Sequence, residues 1–553
     1  VTTADRESER LTALGGLAAL SLDALSSVAY GPEAILVVLV AAGTVGLRYS
    51  MPVTIAIIVL LAALVFSYRQ VIEAFPNGGG AYAVSKTHLG RVPSLVAAAS
   101  LIVDYVLNAA VGVSAGVEAL TAAFPSLYGV RVWICLAVLA LITAANMWGI
   151  AEAARLFMVP TIAFIVSIFL VIAVGLLRAH PAVPLSHTLP ATTDTVGVLL
   201  VLKAFASGCS ALTGVEAIAN SVPQFRKPRA GRAQHTEVAL GVILGLMLLG
   251  LGELIRRWDA LPQPGTTVLA QLTSGAIGHG ILFYVIQLIT LVLLALAANT
   301  SFGGLPVLAG LLARDNFLPH VFGLRADRRV FRYGVGFLAV AAALLLIVSR
   351  GDTQALVPVF AVGVFVGFTL SQVGMVRHWY VTRGPGFRRK ALINGVGAVL
   401  TFAATVIELV SKFVEGAWLV ALVIPLLVLL FLSLSRTYAR IGAQLGIGKV
   451  PPLPVKRASL VVVPVMGMSR LTAEGISAAL SLGEDVVAVT VVFTDEADDP
   501  EAGVPDVDFR AQWEAWRPEV PLLTLRSAHR SLAKPIVRYL RLVEAEDKYH
   551  RLV

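Results

Sequence analysis

The chain has 553 residues, of which 57% are hydrophobic and 14% charged, and its formal net charge at pH 7 is +9. Soluble domains run at about 45–50% apolar and about 25% charged, and a water-soluble globule cannot hide so large an apolar excess. A soluble enzyme, a fibrous protein and a disordered chain are therefore excluded. The basic excess sits in short loops between apolar runs, which marks the topology of a membrane protein and gives no reason to invoke nucleic acid.

Taken in chain order, apolar runs long enough to cross a bilayer fall at 12–42, 51–75, 93–123, 130–150, 156–177, 196–222, 236–255, 280–312, 333–349, 354–376, 391–411 and 416–435. The first is too long for the apolar part of a signal peptide. Twelve is even, so both termini share a side. Alternate loops differ in charge: one set carries clusters such as Arg226, Lys227, Arg229 and Arg232, Arg325, Arg328 and Arg329, and Arg388, Arg389 and Lys390. The other holds little beyond Arg48, Arg131, Arg178, Arg256, Arg257, Arg350 and Lys412. The positive-inside rule places both termini in the cytoplasm. Cys135 and Cys209 lie inside apolar runs and form no disulfide or metal-binding pattern.

Two runs do not read as continuous helices. The first carries SSVAYGPEA (26–34), with Ser27 beside the break and Gly31-Pro32 in mid-run. The sixth carries ASGCSALTGVEAIAN (206–220), with Gly208, Gly214 and several hydroxyls. Glycine and proline free backbone groups, which in a bilayer must face protein or a water-filled cavity. Gly31-Pro32-Glu33-Ala34-Ile35 and Gly214-Val215-Glu216-Ala217-Ile218 share the pattern G-x-E-A-I, five spans apart. Five is odd, so the two halves have opposite orientation, and matched broken helices point to a transporter site. The predicted fold is an α-helical polytopic membrane protein: a LeuT-type 5+5 inverted repeat with two further helices, twelve in all.

Ionisable residues inside such spans default to function. Those here are Asp23, Glu33, Asp104, Glu118 and Glu216, with Lys203 as the obvious base. Asp23 lies two helical turns before Tyr30; Asp104 and Tyr105 sit mid-span; Glu216 follows the Thr213-Gly214 break by one turn. Ser26, Ser27, Tyr30, Asn108, Ser210, Thr213 and Asn220 add oxygen ligands, and unwound carbonyls supply more. This net-negative, oxygen-rich set suits a hard monovalent cation. The alternative for each acid is structural: capping broken-helix amides. That alternative is even for Glu33 and favoured for Glu118, while Lys203 sits where its ammonium can snorkel outward. A substrate carboxylate would want the free amides of a glycine-rich first break; this one has a single glycine and a proline without N–H. No HExxH, GxSxG or kinase motif set and no His or Cys metal cluster accompanies the acids, so an enzyme is not expected.

The tail changes character. Strand-like KRASLVVVPV (456–465), DVVAVTVVF (485–493) and PLLTLRS (521–527) alternate with helical SRLTAEGISAALSLGE (469–484), VDFRAQWEAW (507–516) and AKPIVRYLRLVEAE (533–546). This predicts a small parallel α/β domain. The organisation is a transporter domain at 1–440, a linker at 441–455 and the α/β domain at 456–553. The loop VMGMSR (465–470) is neither a Walker loop nor G-x-G-x-x-G and reads as a turn.

The segments SLDALSSVAYGPEAIL (21–36), IVDYVL (102–107), ALTGVEAIANSVP (211–223) and FTLSQVGMVRHW (368–379) resemble the KimA-like potassium importers, on the KUP side of the amino acid–polyamine–organocation superfamily. The resemblance implies a LeuT-type fold, potassium–proton symport, a homodimer through cytosolic domains of universal-stress-like fold, and cyclic di-AMP as a regulator. It implies that Asp23, Tyr30, Asp104 and Thr213 match potassium positions and that Glu216 matches the proton carrier. Three positions depart: Asn108 stands where the family has threonine, Gly112 where it has serine and Phe360 where it has tyrosine. Asparagine keeps an oxygen, while Gly112 and Phe360 each lose a hydroxyl. Two other readings stay open: a permease for an amino acid or small organic cation, with Gly112 opening volume, and a sensor whose α/β domain reads a nucleotide.

Overall fold

The structure is a computed structural model. It describes residues 11–76, 78, 80–148, 154–185, 196–263, 265–324, 331–446, 459–482, 485–493, 507–516, 519–527, 531–546, 549 and 551–553. Arg325, Arg328 and Arg329 and part of the expected linker lie outside the described residues. The chain divides into two compact units, Val1–Gln444 and Leu445–Val553.

In the first unit the helices are α1 Ala13–Leu20, α2 Leu22–Ser26, α3 Gly31–Leu39, α4 Gly43–Leu47, α5 Ser50–Ala74, α6 Ala81–His88, α7 Arg91–Ala123, α8 Arg131–Met147 and α9 Ala154–Leu177. There follow α10 Val198–Gly208, α11 Ala217–Asn220, α12 Arg229–Trp258, α13 Val268–Ile277, α14 Ile281–Arg314, α15 Arg332–Val348, α16 Thr353–Thr382, α17 Phe387–Ser411 and α18 Trp418–Gln444. Eleven helical segments among the described residues are long and apolar enough to cross a membrane. The ninth predicted span, α15, is an apolar helix of 17 residues, shorter than the others. Apolar α13 was not expected at all.

Burial ranks the spans. The most apolar stretch of α7 is 83% buried, that of α16 76% and that of the first span 78%, whereas the stretch that includes α8 is 17% buried. The buried helices therefore carry any site, and the exposed ones face lipid. Small residues make the central packing possible. A Cβ at Gly112 would lie 3.0 Å from the carbonyl oxygen of Leu294 and 3.1 Å from Ala298, and one at Gly116 would lie 3.2 Å from Leu291. The Gly112–Gly116 stripe thus lets the α7 backbone approach α14 closely, as small residues do in membrane interfaces.

Both interruptions form as the residues dictate. α2 ends at Ser26, a 3-10 turn covers Ser27–Ala29, and α3 starts at Gly31 with Pro32 in its first turn, where no N–H is needed. The sixth span stops at Gly208, turns through Cys209–Leu212, extends at Thr213 (ψ 154°) and reverses at Gly214, whose φ is +78°. That φ needs glycine. Glu216 therefore lies in the break itself, just before α11, and not a turn beyond it.

The second unit holds β1 Ser459–Pro464, α19 Arg470–Leu482, β2 Asp485–Phe493, α20 Val507–Trp516, β3 Leu522–Ser527, α21 Ala533–Ala545 and β4 Arg551–Leu552. The sheet order is β3-β2-β1-β4 and every pairing is parallel. Short strand β4 was not legible in advance. At the start of α19, Ser469 Oγ accepts from the Thr472 amide (3.2 Å) and Thr472 Oγ1 donates to Gly467 O (2.7 Å), so VMGMSR is a capped turn.

Candidate functional site

The two breaks pack on each other. Ser27 Oγ lies 2.7 Å from Ala211 O and 2.6 Å from Ala24 O, tying the first break to the sixth. A Cβ on Gly31 would stand 2.6 Å from Ala211 Cβ, and one on Gly214 would stand 2.7 Å from the Ala24 nitrogen and from Asp23 Cβ and Cγ. Glycine at both positions is thus a condition of the crossing. Gly208 serves the same end, facing Ile35 and Ile57.

Around this crossing the structure gathers the three central acids. Asp23, Asp104 and Glu216 are 7%, 8% and 7% exposed, and Asp104 is within electrostatic reach of both others. Tyr105 packs on Gly304 and lies within electrostatic reach of all three. The Tyr30 hydroxyl is 3.5 Å from Thr213 Oγ1. The Tyr68 hydroxyl donates to Glu216 Oε2 (3.3 Å), and Asn220 also bonds Glu216. Oδ1 of Asp23 and Oδ1 of Asp104 are buried with no protein partner. Buried polar atoms are almost always satisfied, so two orphaned carboxyl oxygens in one region need an outside partner. Among the described residues no three His, Cys, Asp or Glu side chains converge to chelate a metal. The acids line the crossing with spaced carboxyl oxygens, beside the hydroxyls and the unwound backbone of the two breaks.

Other predicted residues fall elsewhere. Ser26 and Ser210 turn back on their own helices, donating to Asp23 O and Ser207 O (2.7 Å each). Asn108 Nδ2 donates to Ser301 Oγ (3.1 Å), a bond from α7 to α14. Phe360 is fully buried in α16, one turn before Gly363, which faces α7 at Asp104. The expectation that Gly112 opens volume does not hold: the α14 backbone fills the space where a side chain would go. Glu33 Oε2 accepts from Val268 N (3.0 Å) and Glu118 Oε1 from Thr353 N (2.8 Å), so these acids satisfy the starts of α13 and α16. Lys203 pairs with Glu415, which also binds Lys412 at 2.7 Å, and supplies no counter-charge to the central acids.

Sequence reasoning missed Tyr68, Glu237 and Glu408. Both acids are buried with neither oxygen paired. Each lies near the end of an apolar run, where an acid ordinarily reaches water, so only burial reveals them.

Interrupted helices crossing at buried acids within a bundle of apolar spans define a multi-pass membrane protein of the permease class. The chain belongs to the amino acid permease family, whose model matches residues 17–433. It is 41% identical over 544 residues to the potassium transporter KimA of Bacillus subtilis (strain 168), covering 98% of this chain and 88% of that protein. A second family model, the KimA potassium transporter C-terminal domain, matches residues 456–553.

Proposed function

We propose that the protein is a secondary active transporter that imports potassium with protons across a bacterial inner membrane, with both termini inside. The observation that carries this is the pair of orphaned oxygens on Asp23 and Asp104 at the crossing of two broken spans. The 41% identity to a potassium transporter supports the choice of ion. Asp23, Tyr30, Asp104 and Thr213 hold the ion with backbone carbonyls at both breaks, and Glu216 carries the proton. Tyr105 lines the site, while Asn108, one turn from Asp104, ties α7 to Ser301 of α14. The architecture is a 5+5 inverted repeat in which α15, ninth in chain order, brings the eleven longer spans to twelve: 17 residues reach the lower limit of about 17 for crossing a bilayer. Alternating access comes from rocking of spans one, two, six and seven against the rest. The α/β unit joins two copies and takes the regulator cyclic di-AMP.

Gly112 argues against a larger solute, because its lost side chain leaves no space. The test is rubidium uptake into proteoliposomes under an inward proton gradient. Blockade by potassium, and not by sodium or amino acids, is expected. Uptake of an amino acid in place of rubidium would overturn the reading.

A further inference from the structure

Glu237, in α12, is completely buried, and both its carboxyl oxygens lack a partner. Such an acid costs stability that an apolar residue of similar size would not, so within a membrane domain it marks a task. Its place indicates which. A Cβ at Gly241 would meet Val65 of α5 at 2.6 Å, and Gln234 Nε2 donates to Arg69 O at 2.9 Å. Tyr68 lies between those two α5 positions as Glu237 lies between those of α12, and the two side chains are within electrostatic reach. On its other side the Tyr68 hydroxyl donates to Glu216 at 3.3 Å. The titratable and charged groups on elements packed against this part of α12 are Tyr68 and exposed Arg69 on α5, Glu216 at the sixth break and Asp23 on α2; α1 brings none, and α12 itself adds Arg229, Arg232 and His235. From Glu237, α12 leads back past Arg232, five residues away, to Arg229, about two turns away, on the side that the base-rich loops mark as inner.

We propose that Glu237 is the inner station of a proton relay that unloads Glu216 through the Tyr68 hydroxyl. This rests on the proton-coupled reading above. In the step, the Tyr68 O–H turns from Glu216 to Glu237, whose unpaired side chain closes on it; protonated Glu216 then gives its proton to the Tyr68 oxygen as the Tyr68 O–H passes its own proton to the Glu237 carboxylate. One O–H bond breaks and one forms at Tyr68, which ends as it began. Glu216 is left charged and Glu237 neutral. Glu237 then loses the proton toward the inner face. Glu237 touches no transported ion, so its loss separates proton release from ion exchange.

The experiment uses the full chain in proteoliposomes with a trapped pH dye. It compares the wild type with Glu237→Gln and Tyr68→Phe in two modes. One is rubidium uptake driven by an inward proton gradient, with internal acidification read at the same time. The other is rubidium–potassium exchange at equal pH, which needs ion binding and alternating access but no net proton release. The expected result for Glu237→Gln is exchange at half the wild-type rate or better, with driven uptake and acidification slowed at least tenfold. Tyr68→Phe shares the loss of acidification. Wild-type acidification and uptake in Glu237→Gln would overturn the relay and leave proton coupling standing. Loss of both modes together in Glu237→Gln would assign the residue a structural role and also overturn it. A wild type that takes up rubidium without acidification would refute proton coupling itself, and the relay with it.

Discussion

Replacing Gly214 by alanine tests whether the crossing of the two breaks makes the site. The residue sits at φ +78°, a conformation that costs an L-residue about 1–2 kcal/mol. The added Cβ would also stand 2.7 Å from the Ala24 nitrogen and from two atoms of Asp23. Overpacking of this kind costs about 1–3 kcal/mol. The two terms sum to about 2–5 kcal/mol against the arrangement seen, which at about 1.4 kcal/mol per tenfold lowers its population by about 30- to 4,000-fold. Relaxation that relieves the clash must move Asp23, so either route damages the ion site. The assay is rubidium uptake by protein that still elutes as a single folded species. The control is Gly303→Ala, an exposed helical glycine with no atom within 4 Å of an added Cβ, where alanine favours the helix. Gly214→Ala should lose nearly all uptake while Gly303→Ala keeps it. Uptake by Gly214→Ala within twofold of the wild type would refute the argument that close apposition of the breaks is required.

Asp23→Asn and Asp104→Asn should each weaken rubidium binding at least about tenfold without unfolding the protein, since a unit charge about 4 Å from the ion is worth about 4 kcal/mol at an effective dielectric of about 20; unchanged half-saturation in either variant would remove that residue from the site. Glu33→Ala leaves the Val268 amide without its acceptor and should cost about 1–3 kcal/mol of stability, with Glu33→Gln milder, both read by thermal unfolding. Equal midpoints for the two variants would contradict the capping role. Gly112→Ser should leave rubidium affinity no better and destabilise the protein by about 1–3 kcal/mol, because the α14 backbone occupies the space; a gain in affinity would show the site reaches this far. Cyclic di-AMP added to the full chain should slow uptake, and an unchanged rate at saturating nucleotide would count against regulation through the α/β unit.

Much of this molecule is written locally. Apolar runs set the spans, because burying backbone in lipid demands helix. Gly31-Pro32 and Gly208 with Gly214 set the breaks, because backbone preference acts over a few residues. The alternation of strand and helix after residue 456 was likewise legible, save for the two-residue β4, too short to leave a pattern. Asp23, Asp104 and Glu216 could be singled out because an acid within an apolar run is conspicuous. What could not be read is which partner each polar group finds. A structural role for Glu33 and Glu118 was open in the sequence, but not the partner: each meets a helix start 235 residues away. Gly112 looks like lost side-chain volume until α14 is laid against it. Glu237 looks interfacial until α5 covers it. Ser27 looks like one more hydroxyl until Ala211 arrives from the other half. Hydropathy and backbone propensity are properties of neighbours along the chain and fix where helices start, stop and break. Burial, pairing and close approach belong to segments brought together from far apart, so only the packed structure decides which acids cap helices and which keep an unpartnered oxygen.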